Sequence, residues 1–203
     1  MPRSIMTIAA ALTAVVALSA TSLHAVAAPK PNIEDPPGDA NFVNDQGQGD
    51  GSFGDFNQAD AGTVSDLLAI TFSNNAKELM VTIQTEAAPP AATGIGYRVQ
   101  VNPDGAGGAY CINIEAYHPG ANNVLTAPVA YLRDTCAGGE AVPIEVIGTQ
   151  LVIPRSASKA FAKGATLKAP RAQAFLYSGN ESSGTTYPVA DTTKVGTDYK
   201  LVK

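Results

Sequence analysis

The chain lacks tryptophan and has little outside its carboxylates that could carry catalysis. Its 203 residues include no Trp, two Cys and two His, and aromatic residues make up 6% of the total. His118 is the one histidine beyond residue 27, so a Ser-His-Asp or Cys-His arrangement would depend on the turn-like stretch YHPG. No G-x-S-x-G or H-E-x-x-H motif occurs, and no pair of acids stands out as general acid and base. We therefore expect a protein that is not an enzyme.

Long hydrophobic runs are absent after the N-terminus. Residues 1–27 carry one charge, at Arg3, and then an uncharged stretch of small and apolar residues that ends in Ala25-Val26-Ala27. Small residues at −3 and −1 of a cleavage site are typical of a secretory signal peptide. A membrane anchor is the alternative, but the apolar core is short for a span of about 20 residues. We expect cleavage after Ala27, no membrane insertion and a secreted, extracellular protein.

Positive charge is missing from a long N-terminal stretch. Residues 31–76 hold eight acidic residues and no Lys or Arg, and the whole chain has a net charge of −5. A nucleic-acid-binding domain would need a dominant basic face, so we expect no nucleic-acid partner. Residues 28–64 are rich in Gly, Asp, Asn and Pro, with isolated Phe residues. This composition predicts an acidic, Gly-rich loop that docks in part on a domain formed by residues 65–203, with a disordered arm as the alternative for 46–62.

Apolar and polar residues alternate with a period of two through most of the later chain. Examples are LMVTIQT at 79–85, YRVQV at 97–101 and YCINIEAY at 110–117. Such alternation is typical of strands with one buried face. Turn-forming stretches separate the strands, and 142–154 reads as a hairpin that turns at Gly148-Thr149. The pattern predicts an all-β sandwich or barrel, with 156–164 as a short helical candidate.

Two cysteines, Cys111 and Cys136, stand 25 positions apart. In an oxidising compartment the default for such a pair is a disulfide. A loop of this length would stabilise the fold by roughly 3–4 kcal/mol in the chain-entropy model. A reactive thiol or a metal-binding pair is the alternative. We expect the two residues to be bonded to each other.

Several short motifs give the chain a family resemblance. EDPPGDAN, SDLLAITFS, ELMVTIQT, YRVQVNPDG and TQLVIPRS follow one another in this order. Together they resemble the secreted DOMON-like domains that are related to family 9 carbohydrate-binding modules. The resemblance implies a jelly-roll-like antiparallel β-sandwich, a sugar, haem or no known ligand, and a calcium ion at the N-terminal turn. The chain departs from that family in having no Trp for a sugar platform, and Asn102 where the family's hairpin has Asp.

The acidic opening also predicts a calcium site from its own residues. Asp35 and Asp39 flank a Pro-Pro-Gly turn, and Asn41 follows. One turn can therefore bring together the carboxylate, amide and carbonyl oxygens that Ca²⁺ prefers. A distant strand could add Asp66 or Asp104. No stretch fits an EF-hand loop, and the alternative is a plain turn with solvated surface acids. The predicted cofactor is calcium.

A carbohydrate site is the predicted role of one strand. Tyr117 shares a predicted strand face with Asn113 and Glu115, and His118 follows it. An aromatic face beside polar groups is typical of a sugar-binding surface, so the expected partner is an extracellular polysaccharide. The sequence thus predicts a secreted, non-catalytic binding module. The alternative is an extracellular or cell-surface structural module without a small-molecule ligand.

Overall fold

The computed structural model describes residues 29–40, 52–53, 56–57, 65–87, 94–104, 108, 110–118, 127–176 and 189–202. Within these residues the chain is all-β, which confirms the predicted fold class. The strands are β1 (Ile33–Glu34), β2 (Ser52–Phe53), β3 (Phe56–Asn57), β4 (Leu67–Asn74), β5 (Glu78–Thr85), β6 (Ile95–Pro103), β7 (Ile112–Tyr117), β8 (Val129–Asp134), β9 (Ala141–Ile147), β10 (Gln150–Pro154), β11 (Thr166–Leu176), β12 (Val189–Thr192) and β13 (Tyr199–Lys200).

Eleven of these strands form one antiparallel sheet that curls on itself. The hydrogen-bonded order is β1-β4-β5-β10-β9-β8-β7-β6-β11-β12, β13 pairs with β11, and β2 and β3 form a separate ribbon. The two ends of the sheet meet, because the backbone N–H of Leu67 in β4 donates to Asp191 Oδ2 in β12 over 2.8 Å. We call this junction the seam. The path is continuous, and a two-layer jelly-roll-like sandwich stays a prediction.

The segment after β12 fills the remaining gap between β11 and the residue before β1. Gly196 N–H donates to Pro170 O over 2.7 Å, and Thr197 N–H donates to Asn32 O over 2.7 Å. A Cβ atom on Gly196 would lie 2.2 Å from Asn32 O, which is far inside van der Waals contact. Any other residue at this position would force the two segments apart.

The predicted alternation of apolar residues forms the core. In β5, Leu79, Val81 and Ile83 point to the inner face of the curled sheet and are buried. The same inner face of the neighbouring strands contributes Tyr97, Val99, Val101, Ile112, Ile114, Ala130, Leu132, Leu151 and Ile153 to one cluster. Because removal of apolar surface from water stabilises a fold by about 25 cal/mol per Å², this enclosed cluster supplies the main driving force for the curl.

The structure confirms the predicted hairpin and shows 3₁₀ turns at the position of the predicted helix. β9 and β10 turn at Gly148 and Thr149 as expected, and Gly148 has a φ of 60° that favours glycine. The helical candidate is two 3₁₀ turns, Arg155–Ala157 and Lys159–Phe161. Ser158 separates them because its backbone is extended, with φ −149° and ψ 143°. The helix prediction was therefore right in place but not in type.

The N-terminal segment docks through β1. Ile33 is 1% exposed and lies opposite Ile70 of β4. Asp35 N–H donates to Leu68 O over 3.0 Å, which carries the following Pro-Pro-Gly turn to the start of β4. The predicted signal peptide lies outside the described residues. Within those residues, no helix is both long and apolar enough to cross a membrane.

The predicted disulfide between Cys111 and Cys136 is confirmed. Cys111 immediately precedes β7 and Cys136 follows β8, two strands that pair directly with each other. Thr135 N–H donates to Cys111 O over 2.8 Å, so the covalent bond lies beside the last hydrogen bond of this strand pair. The disulfide therefore fixes the register of β7 against β8.

Replacement of both cysteines by alanine should lower the free energy of unfolding by roughly 3–4 kcal/mol, because the unfolded chain regains the loop entropy that the bond removes. Urea unfolding of the wild type and the double variant measures this difference. The reduced wild type is the control and should unfold at the same urea concentration as the double variant. Equal stability of the oxidised wild type and the double variant would contradict the prediction.

Candidate functional site

Four aspartates gather at the seam and form an acidic cluster, made up of Asp35, Asp39, Asp66 and Asp191. Asp35 and Asp39 lie on the turn after β1, Asp66 precedes β4 and Asp191 lies in β12. Single carboxylate oxygens of Asp35, Asp39 and Asp191 lie within 4.8 Å of one another. Asp66 joins them through the same turn, since its Oδ2 accepts from Gly38 N–H over 2.6 Å.

Two oxygens of the acidic cluster have no hydrogen-bond partner among the residues that the structure describes. Asp35 Oδ2 and Asp66 Oδ1 are both buried, and neither accepts a hydrogen bond from a described residue. Asp66 is 1% exposed as a whole. A buried charged oxygen without a partner is costly, and such groups are normally paired or bound to a metal. These two atoms are the observation that favours a cation at this place.

The electrostatics of the cluster favour the same conclusion. Burial, and then the nearby charges of Asp191 and Asp39, raise the pKa of Asp35 to about 6. Burial is also the main cause that raises the pKa of Asp191, and the charges of Asp39 and Asp66 add to it. A divalent cation would neutralise these carboxylates and remove the repulsion between them. Ca²⁺ fits, because its ligands are carboxylate, carbonyl and water oxygens.

The predicted calcium ligands are only partly brought together. Asp35, Asp39 and Asp66 lie in the acidic cluster, and Asn41 lies outside the described residues. Asp104 does not join the cluster, because its Oδ1 pairs with Lys168 Nζ at 2.7 Å and its Oδ2 accepts from a backbone N–H of β11. No sequence pattern indicated Asp191, which is more than 150 positions from Asp35 and becomes its neighbour when the sheet closes.

A second group of polar side chains lies on the outer surface of β6, β7, β8 and β11, which we call the outward face. At its centre is Glu115, which is 4% exposed. Arg98 Nε donates to its Oε1 over 2.7 Å, and Arg133 Nε and the Tyr117 hydroxyl donate to its Oε2 over 3.1 and 3.0 Å. Glu115 therefore holds its neighbours in place and is not itself available to a ligand.

Tyr117 does not have the exposed ring that the sequence prediction assumed. It is 4% exposed, and its ring packs edge-on against Phe175 and Tyr131, with centroids 5.7 and 6.3 Å away. Phe175 reaches this position because it lies across Gly96, where an added Cβ would fall 2.3 Å from the Phe175 ring. Sugar stacking needs an exposed aromatic face, so Tyr117 supports the outward face from within and cannot be a stacking platform.

Asn113 belongs to a row of polar side chains that crosses four strands. The register places Arg171 of β11 opposite Gln100, Gln100 opposite Asn113, and Asn113 opposite Arg133. Arg171 Nε donates to Gln100 Oε1 over 2.9 Å, and Gln100 Nε2 donates to Asn113 Oδ1 over 2.7 Å. All four side chains are partly exposed. The sequence identified Asn113 alone, because the rest of the row comes from other strands.

His118 lies apart from the outward face. It lines a cavity of about 240 Å³ between β5, β6, β7, β9 and β10, together with Tyr97, Thr85 and apolar residues. Its ring packs edge-on against Tyr97, with centroids 5.7 Å apart, and burial lowers its pKa. The predicted ligand set is thus divided, with Asn113 and Glu115 on the outside of the sheet and His118 at the cavity.

Calcium should raise the melting temperature of the wild type relative to EDTA at about 1 mM ion, because the ion binds the folded cluster and not the unfolded chain. Asp35→Asn should abolish this response. In EDTA the same variant should melt above the wild type, since one partly buried charge and its repulsion with Asp191 and Asp39 are removed. Thermal melts followed by circular dichroism measure both effects. Glu34→Gln, at an exposed neighbour, is the matched control, and a wild-type melt indifferent to both calcium and EDTA would rule out the site.

The melting temperature in EDTA should also rise as the pH falls from about 7 to 5. The carboxyl of Asp35 takes up its proton at about pH 6 in the folded protein and near its ordinary value of 3.8 when unfolded. The stabilisation from that proton is therefore fully present below the unfolded value and is lost as the pH rises through the folded value. The increment due to calcium should shrink over the same window, because protons compete with the ion. Identical pH profiles for wild type and Asp35→Asn would refute this assignment.

No protein-family model, curated protein or solved structure matches the chain. The resemblance to DOMON-like domains therefore stays a prediction from short motifs, and any functional assignment rests on the geometry of the acidic cluster and the outward face.

Proposed function

We propose that the chain is an extracellular, non-catalytic module that binds carbohydrate on its outward face and holds one Ca²⁺ in its acidic cluster. The observation that carries the binding role is the ordered row of Arg171, Gln100, Asn113 and Arg133. These side chains are partly exposed and lie on four adjacent strands. Hydrogen bonds join Arg171, Gln100 and Asn113, and Arg133 is held by its hydrogen bond to Glu115. Carbohydrates present many hydroxyl and ring oxygens, which a fixed set of polar side chains on a rigid sheet can bind.

The rigidity of this row supports a binding role more than a purely structural one. Side chains that are already ordered lose little conformational entropy when a ligand binds, and this improves affinity. Arg133 is also hydrogen-bonded to the buried Glu115, so one end of the row is anchored below the surface. The outward face binds through polar contacts in this proposal, since Tyr117, the aromatic residue that the sequence pattern indicated, is buried.

The calcium ion has a structural role in this proposal. It would be held by Asp35, Asp39, Asp66 and Asp191, where the unpartnered oxygens of Asp35 and Asp66 lie. These residues connect the turn after β1 to β4 and β12, so a cation there would join the two ends of the curled sheet. An affinity in the range of about 10⁻⁴–10⁻³ M would suit the calcium supply outside cells.

Retention on insoluble polysaccharides tests the binding role. The wild type, in calcium-containing buffer, should be retained by at least one member of a panel of neutral and acidic polysaccharides. Asn113→Ala should reduce this retention severalfold, because it removes one amide of the row and frees Gln100 from its partner. Gln84→Ala, which removes an exposed amide from β5, is the matched control and should bind like the wild type.

Two results would count against the proposal. Failure of the wild type to bind any member of the panel would favour the structural module without a small-molecule ligand. Retention that Asn113→Ala and Gln84→Ala reduce equally would show that the outward face is not the binding surface.

A further inference from the structure

We propose that the outward face selects acidic polysaccharides, with the guanidinium groups of Arg98, Arg133 and Arg171 as its anion-binding groups. This inference rests on the proposed carbohydrate-binding function and narrows its ligand to polymers that carry carboxylate or sulfate groups. It follows from which hydrogen-bond acceptors of these side chains are already occupied and which donors are still free.

The orientation of the two amides in the row is fixed by Arg171. A guanidinium has five N–H donors and no acceptor, so the group that receives the Arg171 hydrogen bond must be the carbonyl oxygen of Gln100. The amide nitrogen of Gln100 then points at Asn113 and donates to its Oδ1. Asn113 in turn keeps its amide nitrogen as the unused group. In both amides the oxygen therefore accepts a hydrogen bond, and the nitrogen is the group that donates.

The acceptor oxygens among these side chains each already receive a hydrogen bond. Glu115 Oε1 accepts from Arg98, and Glu115 Oε2 accepts from Arg133 and Tyr117. The carbonyl oxygens of Gln100 and Asn113 are occupied in the row. What the side chains of the row and of Arg98 still offer to a ligand is a set of N–H donors, so their natural complement is a ligand rich in acceptors.

The three arginines have most of their donors free. Each is bonded to the sheet through Nε, which is one of five donors, and no further residue in the described part of the chain accepts from them. The side chains of Arg98 and Arg133 are 31% and 39% exposed. Guanidinium groups bind carboxylate and sulfate-like anions with paired N–H donors.

The arginine planes are also held by aromatic rings. The guanidinium carbon of Arg171 lies 4.0 Å from the centroid of the Tyr110 ring, and that of Arg98 lies 5.2 Å from the centroid of Phe175. Stacking of this kind fixes the plane of the guanidinium while its edge stays available. The three arginines thus place three positive charges around the single buried negative charge of Glu115, in a chain whose net charge is −5.

The spacing of the charges favours a polysaccharide over a nucleic acid. Arg171 and Arg133 stand on strands that are three intervals apart, which at the usual strand spacing is about 14 Å. Duplex DNA carries one charge per roughly 1.7 Å of its axis, and proteins that bind it present a dominant basic surface. Widely spaced guanidinium groups with the amides of Gln100 and Asn113 between them suit a polymer in which sparse anions alternate with hydroxyl-rich, uncharged segments.

Three polymers with one backbone test this inference. Binding to immobilised dextran, carboxymethyl dextran and dextran sulfate is measured by surface plasmon resonance, with duplex DNA as a further polyanion. We expect binding to one or both charged dextrans, none to dextran, and weaker binding as the salt concentration rises. Arg171→Gln can keep the hydrogen bond to Gln100 and leaves Glu115 untouched, and it should weaken binding roughly tenfold or more. Arg171→Lys keeps the charge without the paired donors and should bind with intermediate affinity.

Lys163→Gln is the matched control, since it removes the same charge from an exposed turn outside the outward face, and it should bind like the wild type. Equal loss in Arg171→Gln and Lys163→Gln would overturn the inference, as would DNA binding with the same affinity and the same sensitivity to Arg171→Gln. Binding to dextran or another neutral polysaccharide that exceeds binding to the charged forms would overturn the acidic selectivity and leave the carbohydrate-binding function standing. Failure to bind any polysaccharide, neutral or acidic, would overturn both.

Discussion

Closure of the curled sheet depends on buried carboxylates. The seam joins β4 to β12 through the hydrogen bond from Leu67 to Asp191, and Asp66 attaches the turn after β1 through Gly38. Each bond satisfies one oxygen of a buried carboxylate and brings that charge into the acidic cluster, beside the partly buried Asp35 and the exposed Asp39. The contacts that close the sheet therefore also concentrate negative charge. The folded protein can accommodate this charge in three ways. It can remain destabilised by the repulsion, hold a proton on Asp35, or bind a cation at the two oxygens that accept no hydrogen bond from the described residues.

The outward face has the opposite electrostatic arrangement, with positive charge gathered around one buried acid. A carboxylate as enclosed as Glu115 is tolerated because Arg98, Arg133 and the Tyr117 hydroxyl surround it, and removal of both arginines would leave an uncompensated buried charge. The same bonds restrict the two arginines, whose side chains would otherwise lose much conformational entropy on binding a ligand. Phe175 can pack beside Tyr117 only because Gly96 has no side chain. Gly96, the rings of Phe175 and Tyr117, and Glu115 thus determine the positions of these two guanidinium groups.

Local sequence was sufficient for the parts of this fold that depend on local alternation. The period-two pattern placed Leu79, Val81 and Ile83 in the core correctly, and the turn residues located the β9–β10 hairpin. The disulfide followed from the cysteine count. The same pattern could not show that Tyr117 is buried, because alternation tells which face of a strand a residue occupies and not what packs on that face. It also could not find Asp191 or the row from Arg171 to Arg133, since these groupings arise from strand order and from the meeting of the two ends of the sheet.

The acidic cluster and the outward face meet at the paired strands β11 and β12, where Asp191 and the outward face lie on opposite sides of the sheet. Ala174, which is buried in the core, pairs with Asp191 of β12, and the next residue, Phe175, turns outward beneath Arg98. A cation at the seam would therefore not contact a ligand on the outward face. Its effect would be on the fraction of folded protein, through linkage of ion binding to folding. The strands that carry the row are held by the core and by the disulfide beside β7 and β8, so the affinity of the folded face should not depend on the ion. Calcium would then affect the stability of the domain, and polysaccharide would bind its outward face, without energetic coupling between the two in the folded state.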